Sequence, residues 1–138
     1  EDGCPDEGAS AVTLTRDKLV IGQRVFFQTG SDVLMPESHA VLRQVAGFLK
    51  ANWAVRRVRV DGHTDDVGDR ERNVDLSERR ARQVVAFLAA EGVGPERLGA
   101  KGFGPKAPVA SNRTEAGRAQ NRRVEFTVLE TVGTEAGQ

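Results

Sequence analysis

Two segments of this chain, Val55 to Gly62 and Arg122 to Leu129, alternate apolar and charged residues with a period of two. In the first, Val58 and Val60 point one way while Arg57, Arg59 and Asp61 point the other. In the second, Val124, Phe126 and Val128 oppose Arg123, Glu125 and Thr127. Successive strand side chains face opposite sides of a sheet, so both segments read as strands with one apolar and one wet face. A sheet covered on both faces would show near-continuous apolar runs instead. Whatever packs on this sheet therefore packs on one side.

Two stretches of helical periodicity supply that cover. Pro36 suits a first helical turn, where its missing N–H costs nothing. Beyond it Val41, Leu42, Val45, Phe48 and Leu49 make one apolar stripe. A second helix over Leu76 to Glu91 carries Ala81, Val84, Val85 and Leu88 on one face, with Gly92 as its stop. Lys18 to Phe27, with Leu19, Ile21, Val25 and Phe27 at even spacing, predicts a first strand. Arg97 to Phe103 predicts a short one, weakened by Gly99 and Gly102. Gln28 to Asp32, residues 63–75 and Gly104 to Thr114 read as loops, the last followed by one helical turn. The order is β-α-β-α-β-β. It predicts an α/β (α+β) two-layer sandwich, a mixed sheet with helices on one face. Residues 18–130 form the domain, 1–17 a preceding linker and 131–138 a flexible tail.

Charge excludes several functions. Twenty Lys and Arg balance twenty Asp and Glu, so no whole-chain field draws nucleic acid or an anionic membrane. One Trp and no Tyr leave no aromatic stripe among the basic residues for nucleic acid to stack on. No run is long or apolar enough for a membrane-spanning helix. Cys4 is the sole cysteine and excludes an internal disulfide. The acidic stretch around Cys4-Pro5-Asp6 reads as a solvated spacer, with a faint likeness to calcium-binding linkers.

The densest polar cluster is Gly62-His63-Thr64-Asp65-Asp66-Val67-Gly68, just past the second long strand. Carboxyl ends of strands are the usual binding edge of an open α/β sheet. Glu78, Arg79, Arg80 and Arg82 on the following helix approach that edge. At about 100° per residue, Arg79 points away from the stripe of Ala81, Val84, Val85 and Leu88, and Arg82 leans outward. Arg80 lies about 90° from the stripe's centre, where a guanidinium can line a pocket wall while its stem packs. Strand alternation separates Arg122, on the helix side, from Arg123, on the wet side. His63 falls on the wet side with Arg59 and Asp61, and His39 lies on a separate helix. No metal-ligand, nucleophile or cofactor motif is present, so an enzyme is not expected.

Three ordered motifs resemble one known family: Gly62-His63-Thr64-Asp65; Asn73-Val74-Asp75-Leu76-Ser77-Glu78-Arg79-Arg80-Ala81; and Gly117-Arg118-Ala119-Gln120-Asn121-Arg122-Arg123-Val124-Glu125. They are similar to the OmpA-like C-terminal domain, which includes peptidoglycan-associated lipoproteins and the periplasmic parts of flagellar stators. The resemblance runs from about Lys18 to Glu130. It implies noncovalent binding of peptidoglycan through the diaminopimelate of the stem peptide, in a periplasmic domain of an outer-membrane-associated protein. By the family pattern Asp65 meets the ligand's ammonium and Arg80 its carboxylate. Asn73 and Arg122 fall on family positions near the ligand, with Thr64, Gln28 and Thr29 as further contacts. Many relatives carry Asp where this chain has Gln28, which removes one carboxylate. The resemblance also allows a homodimer, and membrane attachment only through a preceding anchor or barrel. The rival reading is a protein-interaction module on the same fold with weak or no wall binding.

Overall fold

The computed structural model describes residues 12–15, 17–21 and 24–131. Five strands form one sheet: β1 (Val12–Leu14), β2 (Lys18–Ile21), β3 (Val55–His63), β4 (Leu98–Gly104) and β5 (Arg123–Thr131), in the spatial order β1-β2-β5-β3-β4. β3 and β4 run parallel, while β5 pairs antiparallel with β3 and with β2, and β1 antiparallel with β2. The sheet is therefore mixed, as its sequence predicts. Three α-helices accompany it: α1 (His39–Ala51), α2 (Arg70–Ala90) and the short α3 (Glu115–Asn121).

One core lies between the sheet and the two long helices. Val41, Leu42, Val45, Ala46 and Leu49 of α1 and Ala81, Val84 and Leu88 of α2 are buried against Leu19, Val58, Val60 and Phe126 of the sheet. The alternation of β3 and β5 sends Arg59, Asp61, Glu125 and Thr127 to the opposite face, where Arg59 and Thr127 both bond to Asp61.

Several boundaries differ from expectation. Val12 to Leu14 pair with β2, and Val12 is buried in the core, so part of the expected linker belongs to the sheet. Thr131 likewise pairs with Val55, inside the span expected as a tail. Of the first expected strand, β2 takes in Lys18–Ile21, and Phe27 makes an isolated bridge to Leu34. The even spacing survives because Leu19 and Val25 still face the core. α2 begins six residues early, at Arg70, with Asp69 accepting from the Arg72 N–H as its cap. Asn73 is thus helical. β5 begins at Arg123, leaving Arg122 as the C-cap of α3. Cys4 and the acidic stretch around it lie outside the described residues.

Two glycines set the distance between α2 and the sheet. A Cβ on Gly62 would collide with the Ser77 carbonyl, and one on Gly102 with the Glu78 backbone N–H. Without those Cβ atoms, Ser77 Oγ accepts from the Gly104 N–H at 3.0 Å and Glu78 Oε1 from Gly102 at 2.8 Å. Gly102 weakens β4 as a strand, yet it is what lets the helix come close. This contact locks the carboxyl edge of the sheet to the helix that carries Arg80.

Candidate functional site

A cavity of about 420 Å³ opens at the carboxyl edge of β3. Its wall includes Arg24, Phe27, Thr29, Arg80, Arg122 and Arg123, with Gly62 and Ser77 at the close-packed junction.

Arg80 extends from α2 across this wall. Its Nε donates to the Ser31 carbonyl at 2.7 Å, and its guanidinium lies 4.9 Å from the centre of the Phe27 ring. Burial lowers its pKa from the ordinary arginine value, with Arg79 and Arg122 adding to this against Asp32 and Asp65. An arginine so lowered still carries its charge. Desolvation and two neighbouring cations make an anion welcome there. Arg79, one residue earlier, points outward and pairs with Asp75 at 2.9 Å and Asp32 at 3.6 Å.

Asp65 stands behind the wall and is 8% exposed. Its Oδ1 accepts from the Val67 N–H at 3.0 Å, and its Oδ2 from Arg122 Nη1 at 2.7 Å. Arg122 is shared, since its Nη2 donates to Glu115 at 2.7 Å. The hydrogen bonds that Arg122 donates to Glu115 and Asp65 raise its own pKa, and the one to Glu115 lowers that of Glu115. Arg122 reaches Asp65 from the end of α3, not from a strand position, so alternation does not explain its placement.

The other expected residues are spread around this centre. Thr64 is buried, its N–H bonded to the Gly104 carbonyl and its hydroxyl donating to the Asp65 carbonyl. Asn73 donates to the Val67 carbonyl at 2.9 Å and lines a neighbouring groove with Asp69, Asp75 and Arg79. Gly30 borders both hollows. Thr29 lies on the cavity wall, whereas exposed Gln28 uses its backbone to close the turn with Ser31 and Val33. Arg24, Phe27 and Glu115 carry no motif and escape a reading of the sequence. Only the even spacing around Phe27 marks that segment, and it points to the core.

His63 sits on the open face, 6% exposed, stacked on Phe103 with ring centres 4.9 Å apart. Neither ring nitrogen has a hydrogen-bond partner among the described residues. Burial and the Arg123 charge hold its pKa down at about 4, against the opposite pull of Glu125 and Asp61. It is neutral at pH 7. Among the described residues no group of three or more His, Cys, Asp or Glu could hold a metal, and no helix could cross a membrane.

Comparison with known proteins gives the following. The OmpA family model matches residues 26–122. Outer membrane porin F of Pseudomonas fluorescens is 44% identical over 104 residues, which cover 75% of this chain and 32% of that protein. Peptidoglycan-binding protein ArfA of Mycobacterium tuberculosis is 37% identical over 126 residues, covering 91% of this chain and 38% of that one. The chain thus spans roughly a third of each of these relatives. Among solved structures, the peptidoglycan-associated lipoprotein from Burkholderia pseudomallei matches with a TM-score of 0.69 at 35% identity, covering 76% of this chain and 89% of that one. The cell wall anchor of the T6SS from Pseudomonas aeruginosa matches with a TM-score of 0.72 at 31% identity, covering 91% and 92%.

Proposed function

Because this chain belongs to the OmpA family, we propose that it binds peptidoglycan noncovalently, in the periplasm, and anchors an outer-membrane-associated protein to the cell wall. The ligand group is the diaminopimelate of the stem peptide, whose free end carries an ammonium and a carboxylate on one carbon. The observation that carries this reading is Arg80: a half-buried guanidinium on a cavity wall that makes no ion pair among the described residues.

Arg80 takes the carboxylate. Its Nε is already fixed on Ser31 and its plane on Phe27, which leaves the two terminal nitrogens for a forked contact. Asp65 takes the ammonium. A carboxylate offers roughly four acceptor positions, and Val67 and Arg122 use two of them. The ammonium therefore joins Arg122 on Asp65. Each charge-assisted bond contributes ~1.5–3 kcal/mol net, so one stem binds in the micromolar class. Many stems in one mesh raise retention by avidity. No bond is broken or made. The domain acts as an anchor, and stem peptides incubated with it should be recovered intact.

Retention on purified insoluble peptidoglycan tests this. Wild type should sediment with the mesh and be displaced by free diaminopimelate, while Asp65→Ala and Arg80→Ala stay in the supernatant. Folded wild type left in the supernatant would overturn the reading in favour of a protein-interaction module on the same fold.

A further inference from the structure

We propose that the cavity holds two carboxylates of one stem peptide, the second on Arg24; this rests on reading the cavity as the stem-peptide site. Among the described residues the wall includes four arginines, Arg24, Arg80, Arg122 and Arg123, and no aspartate or glutamate. Two of the four are neutralised within the protein. Arg122 pairs with Asp65 and Glu115, each at 2.7 Å, and Arg123 pairs with Glu125 at 2.6 Å. Arg80 spends one N–H on a neutral carbonyl. Arg24 is exposed at the wall and makes neither a hydrogen bond nor an ion pair among the described residues.

Two arginines without an ion-pair partner among the described residues therefore line one hollow. The end of diaminopimelate supplies one ammonium and one carboxylate, so by itself it satisfies Arg80 and leaves Arg24 over. A ligand matched to this wall carries a second carboxylate.

The stem peptide has such a group. Its D-glutamyl residue joins diaminopimelate through the γ-carboxyl, so its α-carboxylate hangs one residue away along the chain. The γ-linkage and the diaminopimelate side chain separate this carboxylate from the one at the free end, so the two can reach different points of one wall, and a cavity of about 420 Å³ falls within the size range of small-ligand sites. In some walls this carboxylate is free, and in others it is amidated. A carboxylate can grip a guanidinium through two charge-assisted bonds, whereas a neutral amide offers one uncharged acceptor. Arg24 thus makes the site selective for stems with a free D-glutamyl carboxylate. The contact is at the cavity mouth, so solvent and salt moderate it.

The experiment is calorimetric titration of the chain with two soluble tripeptides, L-Ala-γ-D-Glu-diaminopimelate with the diaminopimelate carboxyl beside the glutamyl link blocked as an amide, and the same peptide also amidated at the D-glutamyl α-carboxyl. Wild type should prefer the free acid roughly tenfold at low salt. Arg24→Gln should shrink that preference to about twofold or less, whereas Arg80→Gln should weaken both peptides and keep their ratio. Equal binding of both peptides by wild type would overturn the second-carboxylate site and leave the diaminopimelate reading standing. So would an undiminished preference in Arg24→Gln. No binding of either peptide by folded wild type would overturn both.

Discussion

The open face of the sheet and the cavity at its carboxyl edge hold similar residues and treat them differently. On the open face, Arg59 Nε meets Asp61 at 2.5 Å, and Thr127 donates to the same carboxylate at 2.6 Å. Beside them Lys18 and Arg123 close on Glu125 at 2.7 and 2.6 Å. Burial would raise the Glu125 pKa, but the bonds from Lys18 and Arg123 outweigh it and hold it at about 2. At the cavity, Arg80 and Arg24 have no such partners among the described residues. Matched charges let a polar face stay ordered without a covering layer. Unmatched ones persist where a ligand brings the missing charge. The same residue type serves the fold in one region and recognition in the other, and pairing tells them apart.

The largest expected effect tests the unmatched side. Arg80→Ala removes about two charge-assisted bonds and should lower affinity for stem peptide about a hundredfold. Its unfolding free energy should fall by less, about 1–2 kcal/mol, since one hydrogen bond from the guanidinium to a carbonyl and the Phe27 contact are lost. Peptide titration and urea unfolding on the same sample check both halves. Comparable losses in both would make Arg80 a structural residue and erase the contrast.

Asp61→Asn is the mirror experiment. Asp61 is 2% exposed, so removing its charge leaves Arg59 short of its partner in a poorly solvated place. Stability should fall by about 2 kcal/mol in urea, with wall binding unchanged. A loss of binding in the folded variant would mean that the open face takes part in recognition.

His63 makes the open face sensitive to acid. Its folded pKa, about 4, lies below the ordinary 6.5. The unfolded chain therefore binds the extra proton first, and stability falls as pH drops from 6.5 towards 4. Glu125 works in the same direction lower down, its contribution fading as pH falls from its ordinary 4.5 towards 2. At pH 5.5 the His63 share is about 1.2 kcal/mol relative to pH 7. His63→Phe keeps the stack on Phe103 and should remove this part of the pH dependence. Parallel urea curves at pH 7 and 5.5 read it out, and equal slopes against pH in the two proteins would refute it.

The legible parts of the molecule are those where one face differs from the other. β3, β5 and the apolar stripes of α1 and α2 separate core from solvent, so alternation and helical spacing reveal them. The start of α2 is silent for the opposite reason. Arg70 to Asp75 bury no apolar residue, so the helix there is signalled only by its Asp69 cap. β1 is three residues long, and Val25 faces the core outside β2 (Lys18–Ile21), so even spacing there does not mark one strand. The cavity is legible in part. Arg80 follows from the edge of a helical stripe, while Arg122 reaches Asp65 from a helix cap that strand alternation does not describe. Arg24 belongs to no motif or period, and only the folded chain brings it to the same wall as Arg80.

The smallest expected effect draws the sharpest line, because it concerns the residue next to Arg80 in the chain. One step along a helix turns a side chain by about 100°, which carries Arg79 off the wall and into solvent. There it meets Asp75 at i−4 and Asp32 across a loop, and its side chain is 45% exposed. An exposed i,i+4 pair contributes only about 0.3–0.5 kcal/mol. Arg79→Ala should therefore change stem-peptide affinity by less than about twofold and stability by less than about 0.5 kcal/mol. The residual effect has a predictable sign. Removing Arg79 takes away a cation that depresses the Arg80 pKa, and it frees Asp32, which raises it. Both changes leave the wall less positive, so affinity should drift down rather than up. A drop as large as that of Arg80→Ala would mean that Arg79 swings onto the wall when the ligand arrives, and pairing in the free protein would then no longer separate fold from recognition.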